Sequence, residues 1–481
     1  MTLQSISSII SHHAAERPHD PALTCGDTTL SWRELDRHTN RLARAYEHLG
    51  VEADDLVTIA LPNSTDFMCA AIAVWKLGAT PQPVSAKLPG RELTEIVELA
   101  DSSLVVGADA DRVPGRTTVP VGWEPDPSIS DEPVPDRTAT HFKAPTSGGS
   151  TGRPKIILAQ NPGAFGIGNV GLSIPFRDTC VVPGVLYHNA PFTSSTLGLV
   201  NGNHVVNFPR FDGEAVLRTV TELRPKYLYL VPTMMQRISK LPDEVRAAAD
   251  MSSLETCIHM AAPCPPWLKE EWIHWVGPDV LCELYAGTEV QSITWITGRE
   301  WLEHRGSVGR PIVGEMRVFD DDGVELPPGE VGEIYMRADA GVGSTYRYLG
   351  ADPKSLSDSE WESLGDMGWI DADGYVYLAD RRKDMILRGG ANIYPAEVES
   401  ALDAHPAVHS CAVVGLRDDD LGQRVHAIVE APGGVDEADL RVHMAEHLVS
   451  YKCPSTYEFV DEPVRDEAGK VRRSLLAHER S

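Results

Sequence analysis

The sequence predicts an α/β protein: a large N-terminal domain of mainly parallel sheets flanked by helices, a small β-rich subdomain, and a small α+β C-terminal domain. Three observations lead there. The 481 residues exceed what one ordinary core serves, so more than one domain is expected. Helix and strand patterns alternate over 1–100 and again over 165–300, the βαβ rhythm that favours parallel strands between helices. From 305 to 380 the rhythm gives way to short strands with Asp-Gly and Pro-Gly turns, and after 380 a new helix–strand unit begins.

Taken in order, Ser31-Trp32-Arg33-Glu34 is a capping box, and Leu35, Leu42, Ala45, Tyr46 and Leu49 give the helix it opens one apolar face. Gly50 ends that helix. Val57 to Leu61 reads as a buried strand, Asp66 to Leu77 as an apolar helix, and Gly78 as its stop. Residues 109–137 are rich in Pro and Asp without periodicity, which reads as surface connection. The strand Tyr227 to Val231 is ended by Pro232. Asp322-Gly323, Pro328-Gly329 and Asp373-Gly374 are hairpin signals. The run Asp320 to Asp322 reads as a solvated turn, because no metal-ligand pattern follows it. In the final unit, Pro395 to Leu402 and Asp436 to Leu448 read as helices, and Ser410 to Val414 and Val425 to Val429 as strands.

Composition excludes several classes. Hydrophobic content of 42% with 23% charged residues is that of a globular chain. The excess of 70 acidic over 43 basic residues, a net charge of −27, repels nucleic acid and anionic lipid, so neither is expected as a partner. Any anionic substrate must then be met by a local cluster of donors. The eight cysteines show no Cys-x-x-Cys spacing and no zinc-like neighbourhood, so free thiols in a reducing cytoplasm are expected. The N-terminus lacks the pattern of a signal peptide, and the longest apolar run, Cys69 to Trp75, is too short to span a bilayer.

The strongest local signal is Thr146-Ser147-Gly148-Gly149-Ser150-Thr151-Gly152-Arg153-Pro154-Lys155. Glycines let successive amides converge on an anion, the hydroxyls add donors, and Lys155 adds charge. It is not a Walker loop: Pro154 precedes the lysine, and the apolar Ile156-Ile157-Leu158 follows in place of a helix. Taken alone, the segment serves equally well as a Gly/Ser turn.

The segment resembles the phosphate loop of the acyl-adenylate-forming superfamily, which contains acyl- and aryl-CoA synthetases, peptide-synthetase adenylation domains and beetle luciferases. The resemblance continues in order to the end of the chain. It implies that His188, in Tyr187-His188-Asn189, orients the acid's carboxylate, with Tyr187, Asn189, Met260 and Ala286 lining the pocket. Met260-Ala261-Ala262-Pro263 stands in place of a Gly-Gly-Ala-Pro stretch beside the adenine. Glu283-Leu284-Tyr285-Ala286-Gly287-Thr288-Glu289 resembles the segment in which Tyr285 stacks on adenine, Thr288 bonds the α-phosphate and Glu289 holds magnesium; Glu283, Ala286 and Gly287 complete that wall. Asp366 is implied as acceptor from the ribose hydroxyls, and Arg381 as a ribose or phosphate contact. Lys383 falls at the hinge, Gly389 and Gly390 at the acceptor tunnel, and Lys470 at the catalytic lysine.

The resemblance implies a core over 1–382 that binds ATP and acid, and a mobile domain over 383–481 that rotates between half-reactions. The overall look is closest to bacterial ligases that join bile or steroid acids to coenzyme A. The leading expectation is therefore an AMP-forming ligase that uses ATP and Mg²⁺ to adenylate a carboxylic acid and passes the acyl group to coenzyme A. Three alternatives stand beside it. The chain is a diazotase that adenylates nitrite and diazotises an aryl amine, a freestanding enzyme that loads a carrier protein, or a non-catalytic AMP sensor, which would have no need of Lys470, Glu289 and Thr288 together. The implied partners are a small-molecule acid and ATP, and a homodimer is admissible.

Overall fold

In the computed structural model, residues 2–148, 154–168, 171–356, 359–389, 391–418, 420–466 and 469–480 are described, with the backbone alone for Ser147, Gly148, Arg381 and Lys383. One sheet of 14 strands runs through the large domain. Its central part is parallel: Pro21–Cys25, His204–Asn207, Thr179–Val182, Tyr227–Leu230, Thr256–His259 and Leu281–Ala286 lie side by side. Past Leu281–Ala286 every pairing is antiparallel, through Ile293–Thr297 and Ser307–Val313 to Val376–Arg381, Glu362–Ile370, Gly332–Arg337 and Glu315–Phe319. The change of character falls where Asp-Gly turns replace helical crossovers, because a tight turn can only return a strand antiparallel. The β-rich subdomain thus extends the main sheet.

A second sheet has four parallel strands, Thr80–Pro83, Leu56–Ile59, Leu104–Val106 and Thr118–Val119. The last of these lies inside the stretch read as connection; two residues are too few to show a period. The capping box at Ser31 is present, with Glu34 Oε2 accepting from Ser31 N at 2.8 Å. The apolar helix is Thr65–Lys76, and its side chains are buried from Phe67 to Lys76. At its end, Lys76 Nζ donates to Asp36 Oδ1 and Asn40 Oδ1, each at 2.6 Å, so a buried ammonium has a carboxylate partner.

The C-terminal unit has its own five-stranded sheet, in which Gly422–Glu430 pairs antiparallel with Ser410–Asp418 and Ile386–Arg388, and parallel with Thr456–Val460. Helices Pro395–Asp403 and Glu437–His447 cover a separate apolar core that includes Ile393, Leu402, Val413 and Met444. All eight cysteines are free, and six are buried. No helix among the described residues is long and apolar enough to cross a membrane.

Candidate active site

The strands that flank the glycine-rich segment pair with each other. Thr146–Gly148 pairs antiparallel with Pro154–Ala159, so Ser147 stands opposite Lys155. Gly149, Ser150, Thr151 and Gly152 lie outside the described residues. The other edge of Pro154–Ala159 carries Tyr346–Leu349, with Tyr348 opposite Ile157. That register brings Tyr348 beside Lys155, whose Nζ lies 3.9 Å from the ring centroid. Both groups converge on Glu289: Tyr348 OH donates to Oε1 at 2.6 Å, and Lys155 Nζ stands 3.3 Å from the same oxygen. Burial and the Glu289 charge together push the Tyr348 phenol up, which keeps it a donor.

Glu289 is 5% exposed. A side chain on Gly287 would begin 2.8 Å from Glu289 Oε2 and 2.3 Å from Leu364, so only glycine lets both side chains pack against the backbone there. A carboxylate oxygen suits a hard cation such as Mg²⁺, which keeps waters and phosphate oxygens as further ligands. Backbone strain follows directly: Val290, β-branched, sits at φ 57°, in the left-handed region.

Tyr285 and Asp366, 81 positions apart, are joined by a 2.6 Å hydrogen bond from the phenol to Oδ2. Arg381 stands opposite Asp366 in the pairing of Glu362–Ile370 with Val376–Arg381. The residues expected around adenine and ribose therefore come from strands that the antiparallel extension of the sheet places together. Thr288 is half-buried between Tyr285 and Glu289 in sequence. The loop after Thr256–His259 carries Ala261 at φ 78°, with Ala262 and Pro263 following. Met260 is 7% exposed and belongs to the main apolar core. The Glu283 carboxylate, expected at the nucleotide, is engaged by Lys269 in a buried ion pair beside His259. Burial and the Lys269 charge hold the His259 pKa well below the usual value, so the ring is neutral.

On the acid side, His188 is the N-cap of helix Asn189–Val200, and its ring centroid lies 4.3 Å from that of Tyr187. Asn63 fixes the preceding turn, accepting from Leu186 N at 2.8 Å and donating to Gly184 O at 3.0 Å. Lys143 reaches the same helix through a short hydrogen bond to Thr193.

The C-terminal unit presents Lys470 from a turn in which Lys470 N donates to Asp466 Oδ1 at 2.9 Å. This turn rests on the large domain: a Cβ on Gly469 would stand 2.9 Å from Thr233, at the start of helix Pro232–Ser239. Gly389 packs instead against Leu421 of its own unit, and Gly390 is outside the described residues. The 3₁₀ turn Arg382–Asp384, which contains Lys383, is tied to both sides. Arg382 bonds Asp321 at 2.6 Å and Glu333 at 3.1 Å, and Asp384 meets Arg473 at 3.2 Å.

Tyr348, Lys143, Lys269 and Asn63 were not singled out from the sequence. No local pattern marks any of these four positions.

A large domain in which Lys155, beside the glycine-rich segment, meets a buried carboxylate, and a small domain whose Gly469-Lys470 turn rests on it, is the build of a two-domain nucleotide-using enzyme. The chain belongs to the AMP-binding enzyme family, whose model matches residues 10–347, and residues 397–470 match the model of the AMP-binding enzyme C-terminal domain. It is 31% identical to a feruloyl-CoA synthase of an Amycolatopsis species, with 98% of each chain covered. It is 28% identical to a fatty acid–[acyl-carrier-protein] ligase of Streptomyces coeruleorubidus, covering 98% of this chain and 96% of that one. Among solved structures, o-succinylbenzoate CoA synthetase of Bacillus subtilis in complex with its acyl-adenylate intermediate superposes with a TM-score of 0.82. That match has 24% identity and covers 99% of this chain and 98% of the other. The chain is an AMP-forming ligase of this family.

Proposed function

We propose that the chain adenylates a carboxylic acid with ATP and Mg²⁺, releases pyrophosphate, and passes the acyl group to coenzyme A. The observation that carries the reading is the docking of the Lys470 turn on Thr233, on the domain that also holds Lys155 and Glu289. An acid oxygen attacks the α-phosphorus of ATP in line, and the acid needs no general base because it is already ionised near neutral pH. Lys155 and the amides of the glycine-rich segment hold the polyphosphate. Glu289 would hold Mg²⁺, which supplies charge neutralisation to the departing pyrophosphate. Tyr285 and Asp366 position the nucleoside, His188 orients the carboxylate, and Lys470 meets the charge that develops at the α-phosphate. Rotation about Lys383 then withdraws Lys470 and brings Gly389 and Gly390 toward the acceptor. Eight free thiols suit the reducing cytoplasm.

A second reading has specific support, since one relative is named a ligase to an acyl carrier protein. The test is pyrophosphate release from ATP with a panel of fatty, steroid, cinnamic and benzoic acids and nitrite. Each is run with coenzyme A, with a carrier protein or alone, and nitrite also with an aryl amine. A coenzyme A thioester is the expected product. A thioester on carrier protein alone moves the acceptor, and nitrite-driven release with a diazonium product moves the acid. Lys470→Ala is expected to lower the adenylation rate by roughly 10²–10³-fold with little change in the KM for ATP. Wild-type activity in that variant would overturn the role given to Lys470.

A further inference from the structure

Among the described residues, three lysines are buried: Lys76, Lys143 and Lys269, at 1%, 6% and 3% exposure. Two have carboxylate partners, Asp36 for Lys76 and Glu283 for Lys269. Lys143 has none; its partner is the Thr193 hydroxyl, and its Nζ lies 4.9 Å from the Phe142 ring centroid. Burial alone brings its pKa down to about 7. A buried ammonium without a counter-charge is costly, and none of the steps above uses it. Its backbone is pinned on both sides, by Ala159 N donating to Lys143 O and Ala144 N donating to Pro81 O, each at 3.0 Å. The burial is therefore set by the fold.

Thr193 lies one helical turn after Asn189 on helix Asn189–Val200, so the two side chains share a face, about 5–6 Å apart at Cβ. Asn189 Oδ1 is buried with no hydrogen-bond partner among the described residues. Lys143 thus keeps ammonium donors beyond its bond to Thr193, on the helix that His188 caps. A buried ammonium in this state is a group that an anion completes, whereas the Asn189 oxygen, an acceptor, calls for a donor and not for an oxyanion. Beyond them the space is filled: Phe192, fully buried, packs on Phe67, Trp75 and Phe142 at centroid distances of 6.2, 5.6 and 6.5 Å. A long alkyl or multi-ring body finds no continuation there.

We propose that Lys143, held by Thr193, is the specificity-determining group of the acid site, and that it selects small, oxygen-rich acids by pairing with their oxyanion. The class spans nitrite and short dicarboxylates, which share that chemistry. This rests on the adenylation reading above, and the test separates the two. With the best acid from a series of nitrite, malonate, succinate, hexanoate, decanoate and a steroid acid, wild type and Lys143→Met are compared by pyrophosphate release. The expected result is preference for nitrite or a short dicarboxylate. In Lys143→Met the KM for that acid rises at least ~30-fold, about the worth of one charge-assisted contact, while the KM for ATP stays within about twofold. Thermal unfolding of the same proteins with nitrite or malonate as probe reads binding without turnover. Wild type is expected to be stabilised by the preferred probe and Lys143→Met not, while the variant alone keeps or gains stability because an uncompensated buried charge is gone. Preference for decanoate or the steroid acid, or an unchanged acid KM in Lys143→Met, overturns the proposal. If no acid drives pyrophosphate release in wild type, adenylation fails; probe-dependent stabilisation lost in Lys143→Met then still supports Lys143, and its absence overturns it.

Discussion

Val290 follows the carboxylate on which Lys155 and Tyr348 converge, and its φ of 57° is one a β-branched residue adopts only under constraint. The turn that imposes it is closed by Val290 N donating to Gly287 O at 3.2 Å, the same Gly287 against which Glu289 and Leu364 pack. Strain here is coupled to the placing of one carboxylate. Replacing Val290 by glycine relieves about 1–2 kcal/mol of left-handed strain but returns about 1 kcal/mol of chain entropy to the unfolded state. Val290→Gly is therefore expected to be equally or slightly more stable in urea, with a several-fold lower rate of pyrophosphate release as Glu289 loosens. A clear loss of stability would show that the turn is unstrained. Ala261, at φ 78° beside the expected adenine site, is a milder instance of the same device.

Helix Pro395–Asp403 holds the turn that carries Lys470 through one carboxylate. Glu399, 4% exposed, accepts from Arg465 at 2.7 Å, from Arg473 at 2.8 Å and from Val413 N at 2.8 Å. Arg465 in turn donates to Gly469 O at 3.2 Å, next to Lys470. Burial raises the cost of every charge in this cluster, and the mutual attraction offsets it only while all members are present. Glu399→Ala leaves two largely buried guanidinium groups without their shared acceptor, and a loss of about 3–5 kcal/mol is expected. Chemical denaturation followed in the C-terminal unit measures it, and the adenylation rate is expected to fall with it. Glu399→Gln, which keeps acceptor geometry but not charge, is expected to fall in between. A Glu399→Ala protein as stable as wild type would remove the helix from this role.

Across the whole molecule, buried bases set the response to acid. His13 and His204 are held neutral by burial, each with its pKa lowered to about 4. His13 Nε2 meets Val200 O at 3.0 Å, and His204 Nε2 meets Thr24 Oγ1 at 2.7 Å, so both sit where the first helix and strands join the parallel sheet. Between the unfolded pKa near 6.5 and the folded value near 4, the unfolded chain binds more protons than the native one. Stability therefore falls as pH drops through that window, and it is unaffected by these groups above it. Thermal midpoints are expected to decline between pH 6.5 and 4, and His13→Gln with His204→Gln to flatten the decline; an unchanged slope would assign the acid sensitivity elsewhere.

The sequence by itself determined the order of elements, the division into a parallel core, a turn-rich extension and a final α+β unit, and the ordered run of motifs from Thr146 to Lys470. Periodicity, capping residues and Asp-Gly turns act over a few neighbours, so they survive in one dimension. Only the tertiary structure decided which of those residues meet. Lys143 and Thr193 are 50 positions apart, and Glu289 and Tyr348 are 59. Tyr348 reaches its carboxylate because a strand from 346–349 pairs with the edge of Pro154–Ala159, and no local pattern announces such pairing. The Glu283 side chain, placed by motif at the nucleotide, is drawn to Lys269 because an ammonium buried by the packing of helix Pro266–Val276 requires a counter-charge. Lys143 lacks one among the described residues for the converse reason: packing buries it against an aromatic cluster and a hydroxyl, and burial, which no single sequence states, turns an ordinary lysine into a selective one.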